Sequence, residues 1–501
     1  MKILLIYVPS RRQEIIIPFG LLYLASSVKE EGNDVRIIDL CLDKISDEEL
    51  MSEIDIYQPD VVGFGAITPG YQNLIRITLK IRSRFPDILL IAGGIIASVS
   101  RLLITKADID VVVLKEGETV IKNVLKVISE NSSFCNVRGI AYKGEDGSYN
   151  ENAHEVQISN MDDIPIPPYS LINVRRYCSS VDGYMDEFNW NGILTKSEID
   201  LIKSKSDYLI PIVTSRGCTH QCSFCYRHMK GVRQFSPGYV IKQIKYLQRE
   251  YQIHFFQFND ELTNVTKKWC HEFCDLLDSE NMNITYVING ARVSNVDENL
   301  LRRFKETGCV KMGFGYESGS QKILEYIDKG VSKEENYEVG RLLKKVGLYD
   351  AAQIVIGFPP ESPETIEETI KFLKSLAPIR PSITYILPFP GTRDWDYCLK
   401  NGLIKNEEEF ILAYDEAGTF RINLTQYSEE EVKCWQFDIN SALYLVNLKK
   451  DRKYFKYIML RISLSLGSRY FRSKLLKLAK SYRVLNYMKQ LIRKVIIPQG
   501  F

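Results

Sequence analysis

The sequence predicts an α/β protein: an N-terminal doubly wound, Rossmann-like parallel sheet, then a partial (β/α)6 TIM-like barrel, then a basic helical C-terminal segment. Three observations predict it. Short apolar runs alternate with helix-period segments in two separate blocks, a proline-rich polar stretch divides the blocks, and beyond residue 405 the strands give way to helices crowded with Lys and Arg. A chain of 501 residues is long for one domain, and two or three units are the expectation. We place them at 1–145, 146–208, 209–405 and 406–501, the second being a connector.

In the first block KILLIYV, FGLLYLASSVKEEG and DVRIIDL read as strand, helix and strand, followed by PDVVGFGAI, a helix through LIRITLKIRSRF, then DILLIAGG and DVVVLKEGE. Continuous apolar runs of this length are parallel strands buried on both faces. Ligands of such sheets lie beyond the strands' carboxyl ends, where this block carries the loop PSRRQEIIIPFG, the turn Gly65–Gly70 with Thr68, Gly93-Gly94, and Glu116-Gly117-Glu118. Taken singly, each glycine only makes a turn; four such loops on one edge suit close approach of a large ligand.

The connector contains IPIPPYSLI and the polar stretch SSVDGYMDEFNWNGILTKSEID, which read as irregular chain lying over the junction and covering the active site. The second block offers six strands, LIPIVTS, HFFQFND, ITYVING, VKMGFGYES, AAQIVIGF and SITYILPF, with helices such as PGYVIKQIKYLQREY between them. The chemistry of such a barrel belongs at the strands' C-terminal ends. In the final segment the 46 residues from Lys449 to Lys494 hold fifteen Lys or Arg against Asp451, +14 in a chain whose net charge is +2. Its apolar residues recur at helical spacing, so the stripe is most simply a packing face on the barrel, and next a peripheral membrane contact for anionic headgroups; nucleic acid is the weakest of the three readings.

No apolar run reaches the roughly 20 residues of a spanning helix, and MKILLIYVPSRRQEIII reads as a strand rather than a secretory signal, so a cytoplasmic protein is expected. Its eleven cysteines are odd in number and scattered, which fits free thiols, most of them buried, and those at 41, 135, 178, 270, 274, 309, 398 and 434 have no ligand-like partner spacing. Only Cys218, Cys222 and Cys225, in SRGCTHQCSFCYRH, are clustered. Three thiolates on one short loop can hold three irons of a cubane and leave the fourth open to an exogenous ligand. The competing reading is zinc, with His220 or His228 as fourth ligand, although both histidines sit awkwardly inside the loop.

With Phe224 before its last cysteine, this motif resembles the signature of the radical S-adenosylmethionine superfamily. The resemblance implies a [4Fe-4S] cluster on Cys218, Cys222 and Cys225, chelation of S-adenosylmethionine by the open iron, and a deoxyadenosyl radical that takes a hydrogen from a small-molecule substrate. A flavodoxin- or ferredoxin-type protein would supply the electron. It also implies cofactor contacts from Asp260 and Glu261 after the second strand, Arg292 after the third, Glu317 and Ser318 after the fourth, and Gly357 after the fifth, where Gln353 stands in place of a commoner glycine. From residue 1 to about 405 the chain further resembles the subclass with an N-terminal cobalamin-binding domain, through IPFGLLYLASSVKEEG, PDVVGFGAIT, IAGGIIAS, VLKEGE, IPIPPYSLI, SRGCTHQC, GYESGSQKIL and PFPGT in that order. Thr68, Gly93, Gly94, Glu116 and Gly117 would then meet the cobalamin. The first histidine is His154, and Ile96 stands where many relatives carry a histidine, so the histidine that serves as lower cobalt ligand in many cobalamin proteins cannot come from the first domain.

The function so implied is cobalamin-dependent methyl transfer to an unactivated carbon. Radical cyclisation or rearrangement, as in the anaerobic oxidative cyclase of porphyrin esters, is the alternative within the superfamily, and a non-catalytic iron–sulfur binding module the alternative outside it.

Overall fold

The computed structural model describes residues 1–447 apart from 11–14, 189, 191–192, 230, 377–380 and 415–418. The basic stretch 449–494 and the middle of the PSRRQEIIIPFG loop lie outside the described residues.

The first sheet comprises β1 (Lys2–Tyr7), β2 (Asp34–Asp39), β3 (Val61–Gly65), β4 (Leu89–Gly93), β5 (Val111–Val113), β6 (Ile140–Lys143) and β7 (Tyr149–Glu151), in the order β2-β1-β3-β4-β5-β6-β7. The first five run parallel, as the unbroken apolar runs required, with Ile3, Leu4, Leu5 and Ile6 almost wholly buried. Strand order reverses between β1 and β3, opening a crevice at the carboxyl edge. The sheet is not wholly parallel, however. β6 and β7 form an antiparallel hairpin on its edge, turned at Asp146-Gly147, a pair that signals a hairpin and that the strand–helix rhythm overlooks.

The second sheet holds β8 (Ser179–Ser180), β9 (Tyr208–Ile212), β12 (Phe255–Phe258), β13 (Thr285–Ala291), β14 (Cys309–Glu317), β15 (Tyr349–Ile356) and β16 (Ser382–Tyr385), ordered β16-β15-β14-β13-β12-β9-β8. Each of its six parallel strands lies beside its predecessor, making the expected partial barrel, and β8 adds a short antiparallel edge. A separate hairpin, β10 (Ser215–Cys218) and β11 (Gly231–Gln234), leaves the barrel after β9. Outside the barrel lie helices with well-formed starts, such as Glu298–Glu306 capped by Asp297 and Lys333–Val346 by a Ser332/Glu335 capping box.

The connector differs from expectation in structure and in place. It contains the helices Val181–Glu187 and Lys196–Lys205, the second started by a Thr195/Glu198 capping box that is legible in the sequence as T-x-x-E. It does not cover the end of the barrel where chemistry belongs. Val181, Met185, Trp190 and Ile202 pack on Leu209, Phe255, Val310 and Tyr349, residues that begin barrel strands, so this part of the connector plugs the N-terminal mouth. Its earlier part straps the junction: Tyr177 donates to Asp39 at 2.7 Å, Arg176 pairs with Asp43 at 2.6 Å, and Gln243 on the first barrel helix donates to the Tyr169 hydroxyl at 2.7 Å.

Trp190 is 3% exposed, against the Tyr349 ring at 5.1 Å. Trp190→Ala should cost about 3 kcal/mol through the cavity it leaves, read as a lower calorimetric unfolding midpoint; an unchanged midpoint would show that the plug does not stabilise the barrel.

Candidate active site

The cysteine loop begins on β10 and returns on β11. Gly217, just before Cys218, has φ +82°, and any Cβ there would strike the Gly231 carbonyl, so only glycine lets the two strands close at this point. Cys218, Cys222 and Cys225 are free, and no three His, Cys, Asp or Glu among the described residues surround one ion-sized point. Burial pushes the Cys222 thiol up to about 11, while Lys329 works to lower it. Three free thiols on one short loop, with the Lys329 ammonium beside Cys222 to favour thiolate, form a donor set that fits a cluster. His228 does not turn toward the cysteines: it lines the neighbouring cavity, its pKa lowered by burial, which leaves the zinc reading without that ligand.

Polar residues ring the barrel mouth, though not all as expected. Glu317, at the end of β14, sits in the left-handed region with φ +61° and pairs with Lys329 at 2.7 Å. A non-glycine residue held there is strained backbone at a strand end. Lys329, which the sequence does not single out, is deeply buried; burial opposes its charge, but Glu317 and Cys222 outweigh that and raise its pKa. Arg292 donates to Thr219 in the cysteine loop at 2.9 Å and leaves its Nε without a partner. Glu261 is exposed, its pKa raised mainly by burial of its carboxyl. Phe224 lies 5.6 Å from the Phe358 ring, directly after Gly357, whose N–H donates to Glu361 at 2.7 Å.

Four residues expected to touch cofactors are committed elsewhere. The Asp260 carboxylate accepts from Thr214 N at 2.6 Å, from the Thr214 hydroxyl and from Ser215 N, so it braces the chain entering β10, while the residue also lines the cavity between the two sheets. Ser318 is buried against Thr369. Thr68 is fully buried beside Ser98. Glu116 lines the cavity, but its carboxylate accepts from Arg216, from both terminal nitrogens of Arg233 and from Ile158 N, all at 2.7–3.1 Å. The two arginines come from the β10–β11 hairpin, and their role was hidden because nothing in sequence places them opposite Glu116.

Between the two sheets lies a cavity of about 420 Å³. Gly65, Gly93, Gly94 and Gly117 floor it from the first sheet, and Arg216 and His228 wall it from the hairpin. Gly94 has φ +85°, and a Cβ there would press on the Ala66 carbonyl. Ile95 presents 40% of its surface and Ile96 none, so the floor offers hydrocarbon and bare backbone to a broad ligand, a fit for a corrin ring without a lower ligand from this domain. Asn259 lies on the same cavity and carries it into the barrel, where Gln257 and Asn289 both donate to the Asn259 amide oxygen and Gln353 is exposed.

Residues 212–373 match the radical SAM superfamily profile and residues 9–125 that of the B12 binding domain. An uncharacterized methyltransferase of Pyrococcus horikoshii is 30% identical over 392 residues, 77% of this chain and 79% of that one. The anaerobic magnesium-protoporphyrin IX monomethyl ester cyclase of Rubrivivax gelatinosus is 28% identical over 384 residues, 74% of this chain and 64% of its own length. In fold, the chain resembles the radical S-adenosylmethionine methyltransferase TsrM of Kitasatospora setae, solved with cobalamin and a [4Fe-4S] cluster: TM-score 0.66, 16% identity, 89% of this chain and 88% of that one covered.

Glu361, 2% exposed, braces the turn after β15, and burial raises its pKa from 4.5 to about 7. Its protonated form is the one the fold favours, so its contribution is complete below pH 4.5 and is lost as pH rises through about 7. Between those limits wild type should lose about 3 kcal/mol that Glu361→Gln retains, seen as a shallower decline of unfolding midpoint with pH in the variant; parallel declines would refute this.

Proposed function

We propose, from the premise that this chain belongs to the radical S-adenosylmethionine superfamily in its branch with an N-terminal B12-binding domain, that it is a cobalamin-dependent radical methyltransferase. One observation carries the reading: a single loop serves both sites. Cys218, Cys222 and Cys225 lie within it, and its ends, Ser215–Gly217 and His228-Met229, wall the cavity floored by the first sheet.

The three cysteines would hold the cluster and the glycine-rich edge the cobalamin. Bound there, the cluster would supply the electron that cleaves S-adenosylmethionine to the hydrogen-abstracting deoxyadenosyl radical, and the cobalamin would supply the methyl group. The chain's own part is positioning and exclusion of water. Glu261 is an exposed residue at the barrel mouth whose carboxylate, bonded by the Gly217 backbone, is suited to an ammonium, and Arg292 and Lys329 are cations suited to a carboxylate. Phe224 and Phe358 give the adenine an aromatic wall beside the bare backbone of Gly357. The substrate would lie in the barrel lumen, against the amides of Gln257, Asn259, Asn289 and Gln353 and above the aromatic plug. Closed below, that lumen admits its contents from the side where the radical forms.

After anaerobic reconstitution with iron and sulfide, wild type should convert S-adenosylmethionine to deoxyadenosine and Cys222→Ala should not, with both analysed by mass spectrometry. S-adenosylhomocysteine and retained cobalamin would accompany methyl transfer. Deoxyadenosine without either would favour cyclisation, and no deoxyadenosine from a fully loaded protein would leave an iron–sulfur binding module.

For the basic stretch 449–494 we propose peripheral contact with an anionic membrane, supported by its +14 charge and interleaved apolar residues. No helix among the described residues is long and apolar enough to cross a membrane. The full chain should co-sediment with vesicles containing phosphatidylserine, not with phosphatidylcholine alone, and should release in high salt; equal sedimentation with both would overturn the reading.

A further inference from the structure

Asp394 is fully buried, although it lies in the first turn of the helix Arg393–Lys400, where an acid ordinarily faces water and the helix's own amides. Here it points at the cysteine loop. Ser223, the residue after Cys222, donates its hydroxyl to Asp394 Oδ2 at 2.9 Å, and Tyr326 donates to Oδ1 at 2.8 Å. Asp394 N in turn donates to the Ser223 carbonyl at 3.2 Å, so the two residues grip each other through backbone and side chain. Ser223 N is also committed, to the Ile327 carbonyl at 2.9 Å. Both hydrogen-bond donors of the residue between two proposed cluster ligands are thus drawn away from the cysteine sulfurs.

This direction matters because hydrogen bonds donated to cluster sulfurs stabilise the reduced, more negative state and raise its potential. Cleavage of S-adenosylmethionine needs a strongly reducing cluster. A hydroxyl one residue from Cys222 would work against that if it were free to turn. We infer that Asp394 is a positioning residue that holds the Ser223 hydroxyl off the cluster and so keeps its potential low. Tyr326 completes the clamp by occupying the second carboxylate oxygen, which fixes the orientation of the first. The inference rests on the reading that Cys218, Cys222 and Cys225 hold a cluster.

The test is an EPR-monitored redox titration of the reconstituted full chain, with iron and sulfide content measured for each variant. Asp394→Leu should raise the midpoint potential, because the hydroxyl loses its acceptor. Asp394→Asn, which keeps an amide oxygen in place, should stay near wild type. Adding Ser223→Ala to Asp394→Leu should restore the low potential, since the hydroxyl itself is gone. If leucine does not fit the space, Asp394→Ala reads the same shift. A wild-type potential in Asp394→Leu and Asp394→Ala with full clusters, or a rise that Ser223→Ala fails to reverse, would overturn the inference. A wild-type chain that takes up no cluster would instead remove the reading on which it rests.

Discussion

The structure depends on one buried ion-pair network. Glu116 and Glu118, at the carboxyl edge of the first sheet, meet Arg216 and Arg233, which stand opposite each other on the β10–β11 hairpin, at 2.5–3.1 Å. The side chains involved are no more than 15% exposed. Removing one partner of such a network strands the other's charge, a loss of about 3–5 kcal/mol, so the arrangement is held by what breaking it would expose. Arg216 also lies over the Tyr23 ring at 4.9 Å, which adds an aromatic contact from the first domain's opening helix. Because Arg216 stands two residues before Cys218, fixing the arginine fixes the cysteine loop against the cavity. The spacing between the two proposed cofactor sites is set here, by side chains of which Glu116, Glu118 and Arg216 also line the cavity between the sheets.

Much of this was legible in the sequence. The parallel strands of both sheets were visible because burial on both faces writes continuous apolar runs, and the cysteine loop because three thiols so closely spaced on a polar loop suit a metal centre better than a packed core. What escaped depended on tertiary direction. Asp260, Ser318, Thr68 and Glu116 stand where expected along the chain, but their side chains turn to Thr214, Thr369, Ser98 and the two arginines. Position at a strand end follows from topology, whereas which way a carboxylate faces depends on neighbours distant in sequence. Lys329 and Asp394 were hidden for the same reason. Each is one charged residue among many until the fold sets it beside Glu317 or Ser223.

The connector's two helices were missed on different grounds. Polar composition with Asn, Gly and Asp suggested irregular chain, yet the capping box at Thr195 outweighs that composition locally, and Trp190 gives the segment an apolar anchor against Tyr349. The barrel floor beneath also holds Lys311, 7% exposed, its ammonium 4.2 Å from the Phe188 ring centre and its pKa lowered to about 8 by burial. The floor of the lumen is therefore aromatic but not neutral.

That one connector both straps the two domains and plugs the barrel changes what counts as a separable part of this molecule. A chain begun at β9 would keep every strand of the parallel barrel and every cysteine of the loop, yet it would be open at both ends, with Phe255 and Tyr349 bare to water. The barrel borrows its floor from the segment that ties it to its neighbour. In modular terms the unit of inheritance is therefore neither domain alone but the pair with its strap, and exchanging the first domain for another would require the strap's docking residues, Tyr177 and Arg176 among them, to find equivalent partners in the newcomer.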